Sequence, residues 1–286
     1  MAELTIKQAL EYGCDLLRQQ QEQACLEAEI LLAYCLNQKR VYLRTWPDRH
    51  VPADVIQDYQ QLLQRRHRGE PVAYLTGTKE FWDLTLKVSP AVLIPRPETE
   101  HLVELALERI PTDAPWHIAD LGTGSGAIAL AIAKHRPQCQ LWASDVCPDA
   151  LAIAQQNARL NGIDNISFGL GTWFEPWSQA HSPQKFNLIA SNPPYVAAED
   201  PHLHQGDLRF EPAQALSAGD QGLDAINEIV SQSPGHLHPG GWLLIEHGYD
   251  QGQAVMALFK QHGFEAVFCH QDYADRERVT FGRLSS

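Results

Sequence analysis

The chain has 286 residues, 22 of them Lys or Arg and 35 Asp or Glu, giving a net charge of -13. The length exceeds one typical domain, and an apolar fraction of 44% with a mean hydropathy of -0.29 is ordinary for a globular chain in water. The charge is uneven, -2 over residues 1–84 and -11 over residues 85–286, and so acidic a body repels a phosphate backbone, which counts against a nucleic-acid partner.

In chain order, Met1 to Lys7 lacks the charged-then-apolar layout of a leader, and no apolar run further on is long enough to span a bilayer. A cytoplasmic protein without a membrane partner is expected. Six cysteines (Cys14, Cys25, Cys35, Cys139, Cys147 and Cys269) show no C-x-x-C spacing, so free thiols are expected rather than a disulfide framework or a zinc site. No metal is expected either: His202 and His204 are two apart, with no cysteine pair or H-E-x-x-H beside them. Residues 5 to about 70 read as three helices. Leu10, Cys14 and Leu17 mark the first, and Leu26, Ile30, Leu31 and Tyr34 the second. Val55, Ile56, Tyr59, Leu62 and Leu63 mark the third, with Pro52 near its start. Arg65-Arg66-His67-Arg68 then reads as a solvated helix end, with a contact for an acidic or nucleic-acid partner as the alternative. Phe81 to Val88 alternates as a half-exposed strand, and Val92-Leu93-Ile94 reads as a second strand closing a hairpin-like connector. In Pro95-Arg96-Pro97-Glu98-Thr99-Glu100, the residues Arg96 and Glu98 suit closing over a ligand, pairing with each other, or capping the next helix.

From Trp116 the pattern turns β-α-β-α. Trp116 to Leu121 is a strand, Gly122-Thr123-Gly124-Ser125-Gly126 a sharp turn, and Ala127 to Ala133 opens a helix. Glycines are needed where backbone bends sharply and a ligand approaches it closely. Gln140 to Asp145 is the next strand, and it ends on a carboxylate placed to face a ribose diol. Gly122-x-Gly124-x-x-Ala127 satisfies a nicotinamide-dinucleotide fingerprint, while Asp120-x-Gly122-x-Gly124-x-Gly126 is the pattern of S-adenosylmethionine methyltransferases. A structural turn with no ligand is a third reading. After the helix from Pro148 to Leu160 and the strand from Asn165 to Leu170, Trp173 stands where it can stack on an adenine or fill the core.

The fourth strand, Phe186 to Ser191, delivers Asn192-Pro193-Pro194-Tyr195. The two prolines stop the strand and stiffen the loop. An amide oxygen, free backbone carbonyls and an aromatic ring in so short a space suit a planar NH2 group. Alone, Asn-Pro-Pro reads first as a turn. The convergence of several such features at the carboxyl ends of neighbouring strands, where open α/β sheets bind ligands, argues for a site.

Asp120 to Gly126, Asp145 and Asn192-Pro193-Pro194-Tyr195 together resemble a class I methyltransferase acting on a planar amino group. With Ile94 to Glu100, the loop Pro201 to Pro212, Glu246-His247-Gly248 and the helical front end, the chain resembles the bacterial release-factor glutamine methyltransferases over nearly its whole length. The resemblance implies an α/β fold: a Rossmann-like seven-stranded sheet with its last strand antiparallel, behind a small helical domain. Leu243-Leu244-Ile245, residues 263–269 and residues 279–283 supply the remaining strands. It implies a helical substrate-docking domain over 1–78, a hairpin connector over 79–95 and a methyltransferase domain over 96–286. The cofactor implied is S-adenosylmethionine, held by Gly122, Thr123, Gly124, Ser125, Gly126, Asp145, Trp173 and Asn192. The substrate implied is the glutamine of the Gly-Gly-Gln motif of class-I peptide chain release factors, gripped by Asn192, Pro193, Pro194 and Tyr195, with Tyr195 packed on the amide plane. A monomer is expected. Thr172 and Asn187 stand where the family often has acidic residues, which puts an adenine contact in doubt at the first. Adenine, cytosine and guanine also carry planar amino groups, so a nucleic-acid methyltransferase is the alternative, and a nucleotide-binding module or dehydrogenase a third.

Overall fold

The computed structural model describes residues 4–18, 23–178 and 184–285; residues 1–3 of the amino-terminal stretch and the side chain of His204 lie outside the described residues. The chain forms two compact units, one of residues 1–78 with 206–210 and the other of residues 79–205 with 211–286.

The first unit is helical: α1 (Ile6–Leu17), α2 (Ala24–Cys35), α3 (Arg40–Thr45), α4 (Ala53–His67) and α5 (Val72–Thr76). A reciprocal capping box starts α1, with the Gln8 N–H donating to Thr5 Oγ1 at 3.3 Å and the Thr5 N–H to Gln8 Oε1 at 2.9 Å. The short α3 and α5 were not expected; neither is long enough for apolar periodicity to show. Leu31, Leu32, Leu43, Tyr59 and Leu63 fill the core, each fully buried. Two expectations fail here. Arg66 is not part of a solvated helix end. It is 4% exposed, donates to both Glu27 oxygens at 2.8 Å, and meets Asp207 at 2.8 Å. Two carboxylates from distant points of the chain pair the buried guanidinium, as burial of a charge requires. Cys14 and Cys25 are not free thiols but a disulfide: packing of α1 on α2 brings their Cα atoms to 4.5 Å, within bridging range. Cys35, Cys139, Cys147 and Cys269 are free.

The second unit holds the hairpin β1 (Thr78–Phe81, whose first residue belongs to the first unit) and β2 (Leu84–Lys87), turned at Trp82 with φ 56°. The hairpin thus comes earlier than its alternation suggested. Residues 92–94 form no strand; the Ile94 N–H donates to Glu211 Oε2 at 3.3 Å. There follow α6 (Thr99–Arg109), β3 (His117–Leu121), α7 (Ala127–His135), β4 (Gln140–Asp145), α8 (Pro148–Asn161), β5 (Ile166–Leu170), β6 (Phe186–Ser191), α9 (Asp224–His236), β7 (Leu237–Glu246), α10 (Gly252–Gln261), β8 (Phe264–Gln271) and β9 (Glu277–Leu284). The seven-stranded sheet has the order β5-β4-β3-β6-β7-β9-β8, and β9, the last strand, runs antiparallel to both of its neighbours.

β3 and β6, in the middle of the sheet, are buried on both faces and read as near-continuous apolar runs, whereas β5 at the edge is only half-buried. Every residue of α7 from Ala127 to Ala133 is buried, as a helix apolar all round must be. Leu130, fully buried there, contributes roughly 1.5–3 kcal/mol. The register sets the site. Leu121 pairs with Ser144 of β4 on one side and Ser191 of β6 on the other, and Asp145 pairs with Leu170, so four strands end almost level. The chain order reverses at β3, with β4 and β5 to one side and β6 to the other. Such a switch point leaves an open crevice beyond the strand ends.

Candidate active site

Gly122, Thr123, Gly124, Ser125, Asp145, Trp173, Asn192 and Pro194 line one cavity beyond these strand ends, together with Thr99, residues 91–93 and residues 212, 214 and 215. Gly126, Pro193 and Tyr195 do not line it.

The turn after β3 is held open by its backbone. Gly122, Gly124 and Gly126 have φ of 71°, 55° and 86°, a region that side chains other than glycine's rarely adopt. The Gly122 and Thr123 N–H groups both donate to the Ser144 carbonyl at 2.9 Å, and a Cβ built on Gly122 would stand 3.3 Å from the Trp173 ring. Gly126 is the residue before α7, with Leu130 and Ala154 close behind it, so its role is to let the helix start there. Asp120 lies beneath the turn and is fully buried. Its Oδ2 accepts from the Thr123 hydroxyl at 2.6 Å and the Ala129 N–H at 3.1 Å, while Oδ1 has no hydrogen-bond partner among the described residues. Burial pushes this carboxyl up to about 6, against the pull of those two donors.

Asp145 ends β4. Its Oδ2 accepts from the Gly124 N–H at 2.8 Å and its Oδ1 from the Cys147 N–H at 2.9 Å, so the carboxylate braces the glycine turn while still facing the cavity. Burial raises its pKa. Each oxygen keeps a second lone pair for a ligand hydroxyl. Trp173 sits beyond β5 with φ 45°, its backbone carbonyl accepting from the Ser144 hydroxyl at 2.7 Å and its Nε1 donating to Glu228 at 2.9 Å. Those anchors leave one edge against the core and one wall to the cavity. Thr172 also lines the cavity and is exposed, whereas Asn187 lies at the far end of β6, accepting from the His117 N–H at 2.8 Å.

Asn192 follows β6 and faces the cavity. Its Nδ2 donates to Thr99 Oγ1 at 3.1 Å, which leaves Oδ1 as an open acceptor. Pro193 is buried and Pro194 half-buried. Tyr195 turns away from the cavity. Its ring packs against the core, its hydroxyl points at Glu246 Oε1 at 3.4 Å, and its carbonyl accepts from Gln251 at 3.0 Å. Burial, helped by the Glu246 charge, holds its phenol well above the ordinary range. Arg96 pairs with the buried Glu211 rather than with Glu98, and Glu98 makes no side-chain cap on α6. His202 is exposed and pairs with Asp200. Thr99, Glu211 and Glu246 are the residues for which the sequence suggested no role. All three lie in motifs that carried the resemblance, Glu246 in Glu246-His247-Gly248, but nothing in the sequence gave them an individual role.

Residues 8–77 match the family model described as the PrmC N-terminal domain, and residues 99–216 that of the methyltransferase small domain. The chain is 46% identical over 284 residues to the release factor glutamine methyltransferase of Vibrio cholerae, covering 99% of this chain and 98% of that one. It is 49% identical over 257 residues to the protein of that name in Escherichia coli K12, covering 90% and 91%. Among solved structures, a methyltransferase from Pyrococcus furiosus matches with a TM-score of 0.53 at 14% identity, over 80% of this chain and all of that one. The Thermus thermophilus 16S rRNA N2 G1207 methyltransferase, in complex with AdoMet and guanosine, matches with a TM-score of 0.55 at 17% identity, over 72% of this chain and 49% of that one. At those identities the two structures speak for the fold: that of a class I methyltransferase. The near-full-length relatives decide the family, and the chain belongs to the release factor glutamine methyltransferases.

Proposed function

We infer that the protein transfers a methyl group from S-adenosylmethionine to the side-chain amide nitrogen of the glutamine in the Gly-Gly-Gln motif of class-I peptide chain release factors. The observation that carries this reading is the open Oδ1 of Asn192 in the same cavity as the glycine turn. Gly122, Thr123, Gly124, Ser125, Asp145, Trp173 and Asn192 would hold the cofactor, with Gly126 shaping the turn. They fit it: the positive-φ turn leaves backbone open to a close approach, and the buried or half-buried carboxyls of Asp120 and Asp145 favour a cation above them. When bound, S-adenosylmethionine supplies an electrophilic methyl group on a sulfonium.

An amide nitrogen is a poor nucleophile because its lone pair is delocalised into the carbonyl. The protein's task is therefore to orient it and to favour positive charge on it. Asn192 Oδ1 accepts one amide hydrogen, and the other is assigned to the Pro193 carbonyl, although Pro193 does not itself line the cavity. Those bonds strengthen as nitrogen gains positive character, so they stabilise the transition state more than the ground state. Orientation alone contributes several kcal/mol. Tyr195 supports the tetrapeptide from behind through Glu246 and Gln251, rather than by stacking on the amide. The helical unit is assigned the docking of the release factor, and a cytoplasmic monomer is the proposed working state. The test is to incubate the purified protein with labelled S-adenosylmethionine and a recombinant release factor, with and without its Gly-Gly-Gln glutamine changed to alanine. Label on the intact factor alone is expected. Equal label on both, or none, refutes the reading.

A further inference from the structure

Glu211 ties together two stretches of cavity wall 115 residues apart in the chain. It is 6% exposed. Its Oε2 accepts from the Ile94 N–H at 3.3 Å and its Oε1 from the Arg96 guanidinium. On one side, the Arg96 carbonyl accepts from the Thr99 N–H at 3.1 Å, and Thr99 Oγ1 accepts from Asn192 Nδ2 at 3.1 Å. On the other, Glu211 leads into a turn over residues 212–215, closed by the Ala215 N–H donating to the Pro212 carbonyl at 2.9 Å. The carbonyl of the next residue, Leu216, accepts from the Val196 N–H at 2.9 Å, and the Ala218 N–H donates back to the Val196 carbonyl at 3.1 Å. Val196 directly follows the tetrapeptide. These links form a closed circuit that begins and ends at Asn192. Pro95, Thr99, Asn192, Pro194, Pro212 and Ala215 belong to it and line the cavity. None of the six carries a charge, and the Arg96 cation is taken up by Glu211.

We propose that Glu211 is a positioning residue for the transfer: by holding Ile94 and Arg96 it closes this circuit into a collar around the open Oδ1 of Asn192, and the collar fixes the angle at which the substrate side chain enters. The proposal rests on the function inferred above. Much of the collar is stiff by its own chain, since Pro193, Pro194 and Pro212 each fix a φ. The joint between residues 94–96 and residue 211 is made by side-chain bonds instead. A carboxylate whose two oxygens meet two different donors sets direction as well as distance, and burial strengthens both bonds because water does not compete for them. With that joint cut, Pro95 and Thr99 on one wall can part from Pro212 and Ala215 on the other, and Asn192 loses a fixed partner as Thr99 moves. A port of uncharged, proline-rich wall suits a neutral amide, whereas an ionised side chain would lose its hydration there without a partner. Methyl transfer needs the amide nitrogen in line with the methyl carbon, and a misplacement of about 1 Å costs about a hundredfold in rate. The glycine turn, Asp145 and Trp173 lie outside the circuit, so opening it spares cofactor binding.

The test compares Glu211→Gln, Arg96→Met and the double variant Arg96→Met with Glu211→Leu against the wild type on an intact release factor. It measures kcat, KM, S-adenosylhomocysteine affinity and thermal unfolding. Glu211→Gln keeps an oxygen for the Ile94 N–H but sets an NH2 donor against the Arg96 donors, so it cuts the circuit at Arg96 alone. It is expected to lower kcat by about tenfold, with cofactor affinity within about threefold. Arg96→Met leaves the Glu211 charge buried without its cation and lowers the unfolding temperature. The double variant removes both charges, so it regains most of that stability, yet it has no directional joint and its kcat stays about tenfold or more below wild type. A purely structural pair predicts the opposite, with activity returning alongside stability. The proposal is overturned by that return, by a wild-type kcat in Glu211→Gln, or by cofactor affinity falling as far as kcat. If the double variant does not fold, the isosteric Glu211→Gln decides alone. A wild type that fails to label the release factor refutes the functional reading instead, before any variant is compared.

Discussion

Glu246→Gln should flatten the pH dependence of stability. In the folded protein burial pushes the Glu246 carboxyl from the model-peptide value of 4.5 up to about 7. Between those values the folded state holds a proton that the unfolded state has released. Stability therefore falls as pH rises, at 1.36 kcal/mol per unit where the difference is a full proton. The contribution is fully present below about 4.5 and is lost by the time pH has passed 7. Over roughly 2.5 units it amounts to about 3 kcal/mol, or about 2 over the practical window from pH 5.5 to 8. Glutamine carries no such proton, so the wild type should gain about 2 kcal/mol relative to the variant on going from pH 8 to pH 5.5. Asp120, raised to about 6, slopes the same way, but it is present in both proteins and cancels. Urea unfolding of the sheet unit, followed by tryptophan fluorescence at half-unit pH steps, measures the difference; Trp242 lies in β7 itself. Two parallel stability curves would show that Glu246 titrates alike in both states, and the account of its burial would be wrong.

Asn192→Ala should lower kcat about a hundredfold or more, as loss of a transition-state acceptor does, and leave S-adenosylhomocysteine affinity within a few-fold by calorimetry; a rise in KM alone would contradict the assigned role. Gly222→Ala places a Cβ 2.2 Å from the Tyr195 carbonyl at a φ of 69°, so it should cost about 1–3 kcal/mol in thermal unfolding and slow turnover by displacing the tetrapeptide. Trp173→Ala should weaken cofactor binding about tenfold by titration, the worth of a stacked aromatic wall. Arg66→Ala leaves Glu27 and Asp207 without their buried cation and should destabilise the helical unit by about 3–5 kcal/mol, read by far-ultraviolet circular dichroism.

What could be read from the sequence was local. Ala119-Asp120-Leu121 and Leu188 to Ser191 are strands buried on both faces, and Leu141 to Asp145 is mostly buried, so their apolar runs announce a parallel sheet. The glycines that follow the first run announce a turn open to a ligand. Asn192-Pro193-Pro194-Tyr195 carries its stiffness in its own residues. What could not be read depends on partners far along the chain. Arg66 and Asp207 are 141 residues apart, Arg96 and Glu211 115, and Tyr195 and Glu246 51. No periodicity brings such residues together. The pairing of Cys14 with Cys25 likewise comes from how α1 packs on α2, not from a spacing rule. The tetrapeptide also could not choose between an amide and a nucleobase, since both offer the same planar NH2. Likeness over the whole chain made that choice.

The site is also where the fold departs from what stability alone would select. Glu246 and Asp120 are fully buried carboxyls, each with one oxygen lacking a partner among the described residues. Trp173 holds a left-handed backbone that a bulky side chain rarely adopts, and three glycines in one turn share it. Each feature costs free energy in the folded state. Each also has a use if a cation is to be held and a second one allowed to develop on an amide nitrogen: negative groups kept out of water act strongly because water does not screen them. A core re-packed with apolar residues at 120 and 246 should then be more stable and a poorer catalyst. That opposition is the trade of stability against activity expected where buried ionisable groups serve a site.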